Sequence, residues 1–184
     1  DGQDAPEGLP WLASVLERGG AGAVFGSRMM NGTAALKGGM PLYKFIGNKI
    51  LTKLQNFMLG SRLSEFHSGY RLYRISALKK IPFDLNSNDF HFDTEIIIQL
   101  FIARSSIEEV PNPTFYGDEI CYVDGVKYAR NVLLSTIQSK VQRYHIFYDR
   151  KFDCAPNSSG PSIASRPTPG EKAFLSTLSG PAGI

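Results

Sequence analysis

The sequence predicts an α/β domain, and three observations carry that prediction. A short amphipathic helix precedes a buried apolar strand, a long amphipathic helix follows it, and a second apolar strand lies far downstream behind a buried helix. The first helix covers residues 9–16, with Pro10 in its first turn, where a missing N–H costs nothing, and Gly19-Gly20 ends it. Residues 21–26 are short and apolar and read as a buried strand that delivers Ser27-Arg28 at its C-terminal edge. In open α/β sheets that edge is where ligands bind.

Residues 31–40 are rich in Gly and read as a loop containing Lys37, after which Pro41 opens a long helix to about residue 59. Its apolar positions Leu42, Phe45, Ile46, Ile50, Leu54, Phe57 and Met58 follow helical spacing, with Lys44, Lys49 and Lys53 off that stripe. Such a basic face is either solvated surface or a face turned toward anionic lipid headgroups or an anionic substrate.

The densest stretch is Ser64-Glu65-Phe66-His67-Ser68-Gly69-Tyr70-Arg71-Leu72-Tyr73-Arg74, a loop running into a strand at 70–74. Arginine forks onto phosphate oxygens and glycine lets backbone N–H groups come close, so the mixture suits phosphate recognition. It equally suits a strand of alternating faces with salt-bridged arginines, Arg71 and Tyr73 on one side and Tyr70, Leu72 and Arg74 on the other. Residues 76–80 form a short helix, 86–89 a polar turn, and 93–104 a helix apolar on more than one side and hence buried. Asp93 and Glu95 fall in its first turn, where carboxylates favour the helix dipole. Residues 107–114 read as a strand interrupted by Pro111 and Pro113, hence an edge strand or one leaving the sheet, 116–119 as an acidic turn, and 126–148 as a long helix.

Composition bounds the function. The 184 residues, 42% hydrophobic and 20% charged, suffice for one core-bearing domain, and a net charge of +3 falls short of a dedicated nucleic-acid binder. Cys121 and Cys154 stand far apart and form no CxxC pair, so neither a zinc site nor a disulfide framework is expected. No run reaches the roughly 20 apolar residues of a spanning helix, and no signal peptide is read, so a cytoplasmic location is expected, with the cytosolic face of a membrane as its natural refinement. From Cys154 onward, fifteen of the last 31 residues are Pro, Gly or Ser, which predicts a domain over 1–153 and a disordered tail over 154–184.

The chain opens on Asp1-Gly2-Gln3, a carboxylate and an amide two residues apart. Asp-Gly is an ordinary turn signal, and an oxygen cluster of this kind also suits Mg²⁺ or Mn²⁺. Taken in order, Asp1-Gly2-Gln3 with Pro6-Glu7, Gly26-Ser27-Arg28, His67-Ser68-Gly69-Tyr70-Arg71, Asn88-Asp89-Phe90, Phe92-Asp93-Thr94-Glu95 and Glu109-Val110-Pro111 resemble family 2 glycosyltransferases of the dolichol-phosphate mannose synthase type. The resemblance covers residues 1–153. It implies a Rossmann-like GT-A fold and an inverting transfer from a GDP- or UDP-sugar donor, with Asp1 and Gln3 as metal ligands gripping the sugar diphosphate. The family's first aspartate and its nucleotide-binding strands belong ahead of Asp1, so the expectation is the C-terminal part of a catalytic domain, inactive alone. Glu65 stands where the family often has Asp, and Asp4-Ala5 where His-Asp is common.

The acceptor then lies across from the metal. A polyprenyl or dolichyl phosphate, with a second pKa of about 6, is already nucleophilic at pH 7 and needs holding, and Arg28, Lys44, Arg71 and Arg74 are the expected holders around the His67-Ser68-Gly69 loop. A glycan hydroxyl would instead require a carboxylate base, for which Glu65, Asp89 and Asp93 are candidates. The basic surplus near loop and helix favours the phosphate acceptor. The alternative is a non-catalytic chain that only binds anionic membrane surfaces through the Lys44, Lys49, Lys53 face.

Overall fold

The computed structural model describes residues 6–114, 116 and 124–154. It is a mixed α/β arrangement around a small three-stranded sheet. Helix α1 (Leu9–Arg18) leads into β1 (Ala23–Ser27), a short helix α2 (Ala34–Lys37) and the long α3 (Leu42–Leu59). Strand β2 (Arg71–Tyr73), α4 (Ile75–Leu78), α5 (Phe92–Ile102), β3 (Ile107–Pro111) and α6 (Gly125–Gln142) follow. The sheet order is β2-β1-β3, with β1 antiparallel to β2 and parallel to β3, so β3 is an edge strand as its prolines require.

β1 is buried along its whole length, and its side chains alternate between two cores. Ala23 and Phe25 join Leu63, Phe66, Ile97 and Leu100 on the α5 face. Val24 joins Leu12, Val15 and Val110 on the α1 face. β2 alternates as its sequence predicts: Tyr73 packs on the first core, edge to face with Phe25 at 5.8 Å, and Tyr70 and Leu72 pack on the second. Residues 31–40 hold the helical turn α2 instead of a pure loop, because Ala35 is drawn into a third small core with Met29, Met40 and Phe45. The last long helix stops at Gln142, short of the expected 148; Tyr144, Ile146, Phe147 and Tyr148 lie exposed beyond it. Gly60 ends α3 at φ +71°, a left-handed cap that a side chain would strain.

The chain beyond α6 is tied back through α5. Gln99, fully buried, exchanges amide bonds with Asn86 (2.6 and 3.2 Å) and donates to the Lys151 carbonyl at 2.8 Å. Glu95, placed in the first helical turn for its dipole, does more. Its buried carboxylate accepts from Lys151 Nζ at 2.8 Å, Ser87 N at 2.7 Å and Ser135 Oγ at 3.2 Å. Burial pushes its pKa up, but Lys151 and the Ser87 N–H together hold it below the usual carboxylate value. Cys154, at the start of the expected tail, is buried against the first core; the rest of that tail, residues 155–184, lies outside the described residues.

Removing one partner of a buried ion pair strands the other charge. Lys151→Met is therefore expected to lower unfolding free energy by about 3 kcal/mol in denaturant melts at neutral pH. Because the Glu95 pKa is lowered on folding, this contribution is present above the unfolded carboxylate value and fades as pH falls below it.

Candidate functional site

The parallel pairing of β1 and β3 puts Ser27 beside Pro111, so both strands end at the same edge. β2 runs the other way, so its first residue, Arg71, begins there too. Three segments thus meet at one edge: Ser27-Arg28 after β1, residues 61–70 before β2, and residues 112–114 with Tyr116 after β3. Gly26 permits the meeting, because a Cβ there would come within 3.0 Å of the Tyr70 ring and 3.1 Å of Asn112 Cβ.

At the centre is a buried pair. The Arg28 backbone N–H donates to Glu65 Oε2 at 2.9 Å, its Nε donates to Oε1 at 2.9 Å, and its Nη2 pairs with the same oxygen. Asn48 Nδ2, from α3, adds a bond to Oε1 at 2.6 Å. The rest of the guanidinium reaches Tyr116 Oη (2.6 Å) and the His67 carbonyl (3.0 Å). The Glu65 side chain has no exposed surface.

The same loop is stapled from below by Glu109 of β3. Its carboxylate accepts from Ser64 N (2.8 Å), Ser64 Oγ (2.8 Å) and Glu65 N (3.2 Å). With the Ser64 proton given to Glu109, Ser27 Oγ donates to Ser64 Oγ at 2.6 Å and joins β1 to the staple. Burial pushes the Glu109 carboxyl up to about 7 despite those donors, with Glu65 adding to the rise.

His67 and Arg71 complete the edge. His67 Nδ1 lies 2.9 Å from Tyr128 Oη of α6, the rings edge to face at 5.5 Å, while its buried Nε2 has no hydrogen-bond partner among the described residues. Burial drives the imidazole pKa down to about 4; Glu65 pulls against this, and Arg71 and Arg28 add to it. The ring is therefore neutral at pH 7. Arg71 Nη2 donates to the Phe66 carbonyl at 2.8 Å and its guanidinium lies over the Phe25 ring, 5.1 Å from the centroid. Its Nη1 makes no hydrogen bond among the described residues and stands 3.5 Å from Asp93 Oδ2, whose side chain is 44% exposed.

The structure therefore brings Arg28, Glu65, His67, Ser68, Arg71 and Asp93 together. Lys44, half-exposed, lies one turn before Asn48 on the same face of α3 and so toward the Arg28 side. Ser68 Oγ accepts from Tyr70 N at 3.3 Å and shapes the turn; Gly69 is exposed, with open space where a Cβ would stand. Arg74 is a correction. Its guanidinium bonds the carbonyls of Ala21, Leu16 and Gly19, at the opposite end of β1, and it ties α1 to the sheet. Glu65 is a second correction, since its oxygens are taken by Arg28 and Asn48 and it braces an arginine instead of serving as an open base. Asp89 stands on the surface: its Oδ1 accepts from Phe90 N at 2.7 Å, Lys127 sits 3.7 Å from Oδ2, and the Phe90 N–H chiefly holds its pKa below the usual carboxylate value. Asp1 and Gln3 lie outside the described residues, and among the described residues no cluster of three His, Cys, Asp or Glu could hold a metal.

Sequence reading missed Asn48, Tyr116 and Tyr128, whose partners are distant in the chain, and gave no role to Glu109. A signal existed for Asn48 alone: it lies on the inward side of α3 together with Thr52 and Gln55, polar residues where apolar ones are expected.

No family model and no solved structure matches the chain. Among curated proteins it is 33% identical to the low-salt glycan biosynthesis hexosyltransferase Agl6 of Haloferax volcanii over 106 residues, 57% of this chain and 25% of the relative. It is 34% identical to the uncharacterized protein MJ1222 of Methanocaldococcus jannaschii over 118 residues, 64% of this chain and 48% of the relative. It is 29% identical to the UDP-N-acetylglucosamine–dolichyl-phosphate N-acetylglucosaminyltransferase of Methanococcus voltae over 118 residues, 64% of this chain and 46% of the relative. The two relatives named as sugar transferases support a glycosyltransferase family. The chain spans a quarter to about half the length of the relatives it matches.

The two shifted groups of this edge give it a pH response. The Glu109 carboxyl titrates at about 7 in the fold against 4.5 unfolded, so between these values the unfolded chain holds fewer protons and stability falls as pH rises. His67 acts oppositely, losing stability as pH falls from 6.5 toward about 4. Glu109→Gln removes the first slope. Between about pH 5 and about pH 8 the unfolding free energy of the variant is expected to gain roughly 3 kcal/mol on that of the wild type. A difference that does not move with pH would contradict the raised carboxyl.

Proposed function

We propose that this chain carries the acceptor side of an inverting, family 2 glycosyltransferase of GT-A fold, moving a sugar from a GDP- or UDP-sugar to a polyprenyl or dolichyl phosphate at the cytosolic face of a membrane. The observation that carries this reading is the assembly of Arg28, Arg71 and the neutral His67 at the ligand-binding edge of the parallel strands, with Glu65 consumed in bracing it. The relative named for dolichyl phosphate supports the same acceptor class.

In this reading a phosphate oxygen of the acceptor attacks the anomeric carbon while the nucleoside diphosphate leaves from the opposite face. The nucleophile is already anionic at pH 7, so the site's work is to hold and orient it. Arg71 Nη1, buried, without a hydrogen bond among the described residues and held 3.5 Å from the half-exposed Asp93 carboxylate, is the donor a phosphate displacing Asp93 would take, and Lys44, half-exposed, adds a second positive charge. Mg²⁺ or Mn²⁺, when bound, would neutralise charge on the departing diphosphate; Asp1 and Gln3 are its ligands by resemblance alone. A hydroxyl acceptor is the second reading, favoured by the half-exposed carboxylate of Asp93 at this edge as general base.

Titration of the chain with farnesyl phosphate, followed by ³¹P NMR, checks the phosphate reading. Binding is expected, with farnesol not competing, and Arg71→Gln is expected to weaken it roughly 10- to 100-fold, the worth of one charge-assisted bond. Equal binding of farnesol and its phosphate would refute it.

A further inference from the structure

Helix α6 meets the ligand edge at Tyr128. Asp124 caps the helix by accepting from Val126 N at 3.0 Å and Lys127 N at 3.1 Å, which fixes where its first turn begins. Two side chains flanking Tyr128 then tie that end of the helix to the loop before α5. Lys127 Nζ stands 3.7 Å from Asp89 Oδ2, and Asn131 Nδ2 donates to the same oxygen at 3.4 Å. One turn beyond Tyr128, Val132 is fully buried. Held in this way, the Tyr128 phenol lies 2.9 Å from His67 Nδ1, with the two rings edge to face.

Which group gives the proton in this bond decides what the other imidazole nitrogen can do. A phenol is a far stronger acid than a neutral imidazole N–H, and an imidazole nitrogen a far stronger base than a phenolic oxygen. Tyr128 Oη therefore donates and Nδ1 accepts. Burial raises the Tyr128 pKa, with the Thr94 hydroxyl pulling against it, so the phenol keeps the proton that the bond needs. Nε2 then carries the hydrogen of the ring. That nitrogen is buried and has no hydrogen-bond partner among the described residues. A histidine serving only to tie the loop to α6 would have no reason to leave a buried donor unpaired, because such a group forfeits its hydration for nothing. Arg71 repeats the pattern. Its Nη1 is buried without a hydrogen bond among the described residues, and its charge adds to the burial that lowers the imidazole pKa. Two unpaired N–H donors thus accompany the His67-Ser68-Gly69 loop, and both call for an acceptor oxygen.

We propose that Tyr128 is a positioning residue: it holds His67 in the Nε2–H tautomer, so that the imidazole presents a hydrogen-bond donor, beside Arg71, to an acceptor oxygen at the ligand edge. Tyr128 acts through His67 and not by touching the ligand. The proposal rests on the phosphate-acceptor reading only for the identity of that oxygen; the tautomer is a property of the chain alone.

Side-chain ¹⁵N NMR of the histidines in the full chain, without ligand, reads the tautomer, with His67 assigned by its loss in His67→Gln. The Nε2–H pattern is expected between about pH 6 and about pH 8, well above the folded pKa of about 4. Tyr128→Phe keeps the aromatic ring, so the melt stays cooperative, while the His67 pattern loses its hydrogen-bonded Nδ1 signature and averages between the two tautomers. Farnesyl phosphate, followed by ³¹P NMR, then reads the consequence. Tyr128→Phe is expected to weaken its binding roughly 3-fold, because the competent tautomer is only fractionally populated and its N–H is no longer polarised from across the ring. In the His67→Gln background, which has no tautomer to fix, adding Tyr128→Phe is expected to cost little more. The proposal is overturned by an Nδ1–H pattern in the wild type, by a Tyr128→Phe spectrum unchanged from it, or by equal losses from Tyr128→Phe in both backgrounds. A wild-type chain that shows the Nε2–H pattern, lost in Tyr128→Phe, but binds no farnesyl phosphate upholds the hold of Tyr128 on His67 and sinks the phosphate-acceptor reading instead.

Discussion

The edge of the sheet depends on one buried ion pair, Arg28 with Glu65. Burying both charges is costly unless every lone pair and donor finds a partner, and here the fold supplies them from four directions. The Arg28 backbone and side chain both bond the carboxylate, Asn48 approaches from α3, Tyr116 and the His67 carbonyl take the remaining guanidinium donors, and Glu109 fixes the Glu65 backbone from β3. Remove this pair and the loop before β2 loses its anchor to β1, and with it the placement of His67 and Arg71. A charge-assisted network of this kind gives position, which is what transfer to an already ionised acceptor asks of a protein.

The same network explains how far the sequence can be read. Strand β1, the burial of α5 and the alternation of β2 follow from local apolar patterns, and the structure agrees with each. The residues that converge on the site were legible as chemical types, because Arg, His and Glu packed into eleven positions is an unusual density. Their partnerships were not legible. Arg74 and Arg71 are three residues apart and read alike, yet the antiparallel direction of β2 sends one to the ligand edge and the other to the far end, among the carbonyls of α1 and the turn after it. Glu65 read as an open acid because nothing local shows that Arg28, 37 positions earlier, lies against it.

Helix α3 shows a different limit. Periodicity identifies an apolar stripe and a helix of the right length, but it cannot say which side is inside. The polar inward residues decide it: Asn48 is needed at Glu65, and Thr52 and Gln55 follow it on the same face toward α6. The site thus draws the polar face inward, and of the apolar stripe only Phe45 is buried while Leu42, Ile46, Ile50, Leu54 and Phe57 face out. One helix thereby braces the Arg28–Glu65 pair with one side and leaves Leu42, Ile50 and Phe57 exposed on the other.

The most direct measurement is photo-crosslinking with a benzophenone-bearing polyprenyl phosphate, followed by peptide mass spectrometry of the labelled chain. The architecture predicts label on the peptides holding Arg28 to Lys44 and His67 to Arg71, suppressed by excess unlabelled polyprenyl phosphate and absent with the corresponding alcohol. Label confined to α1 and the far end of β1 around Arg74, or label that the phosphate does not suppress, would contradict it.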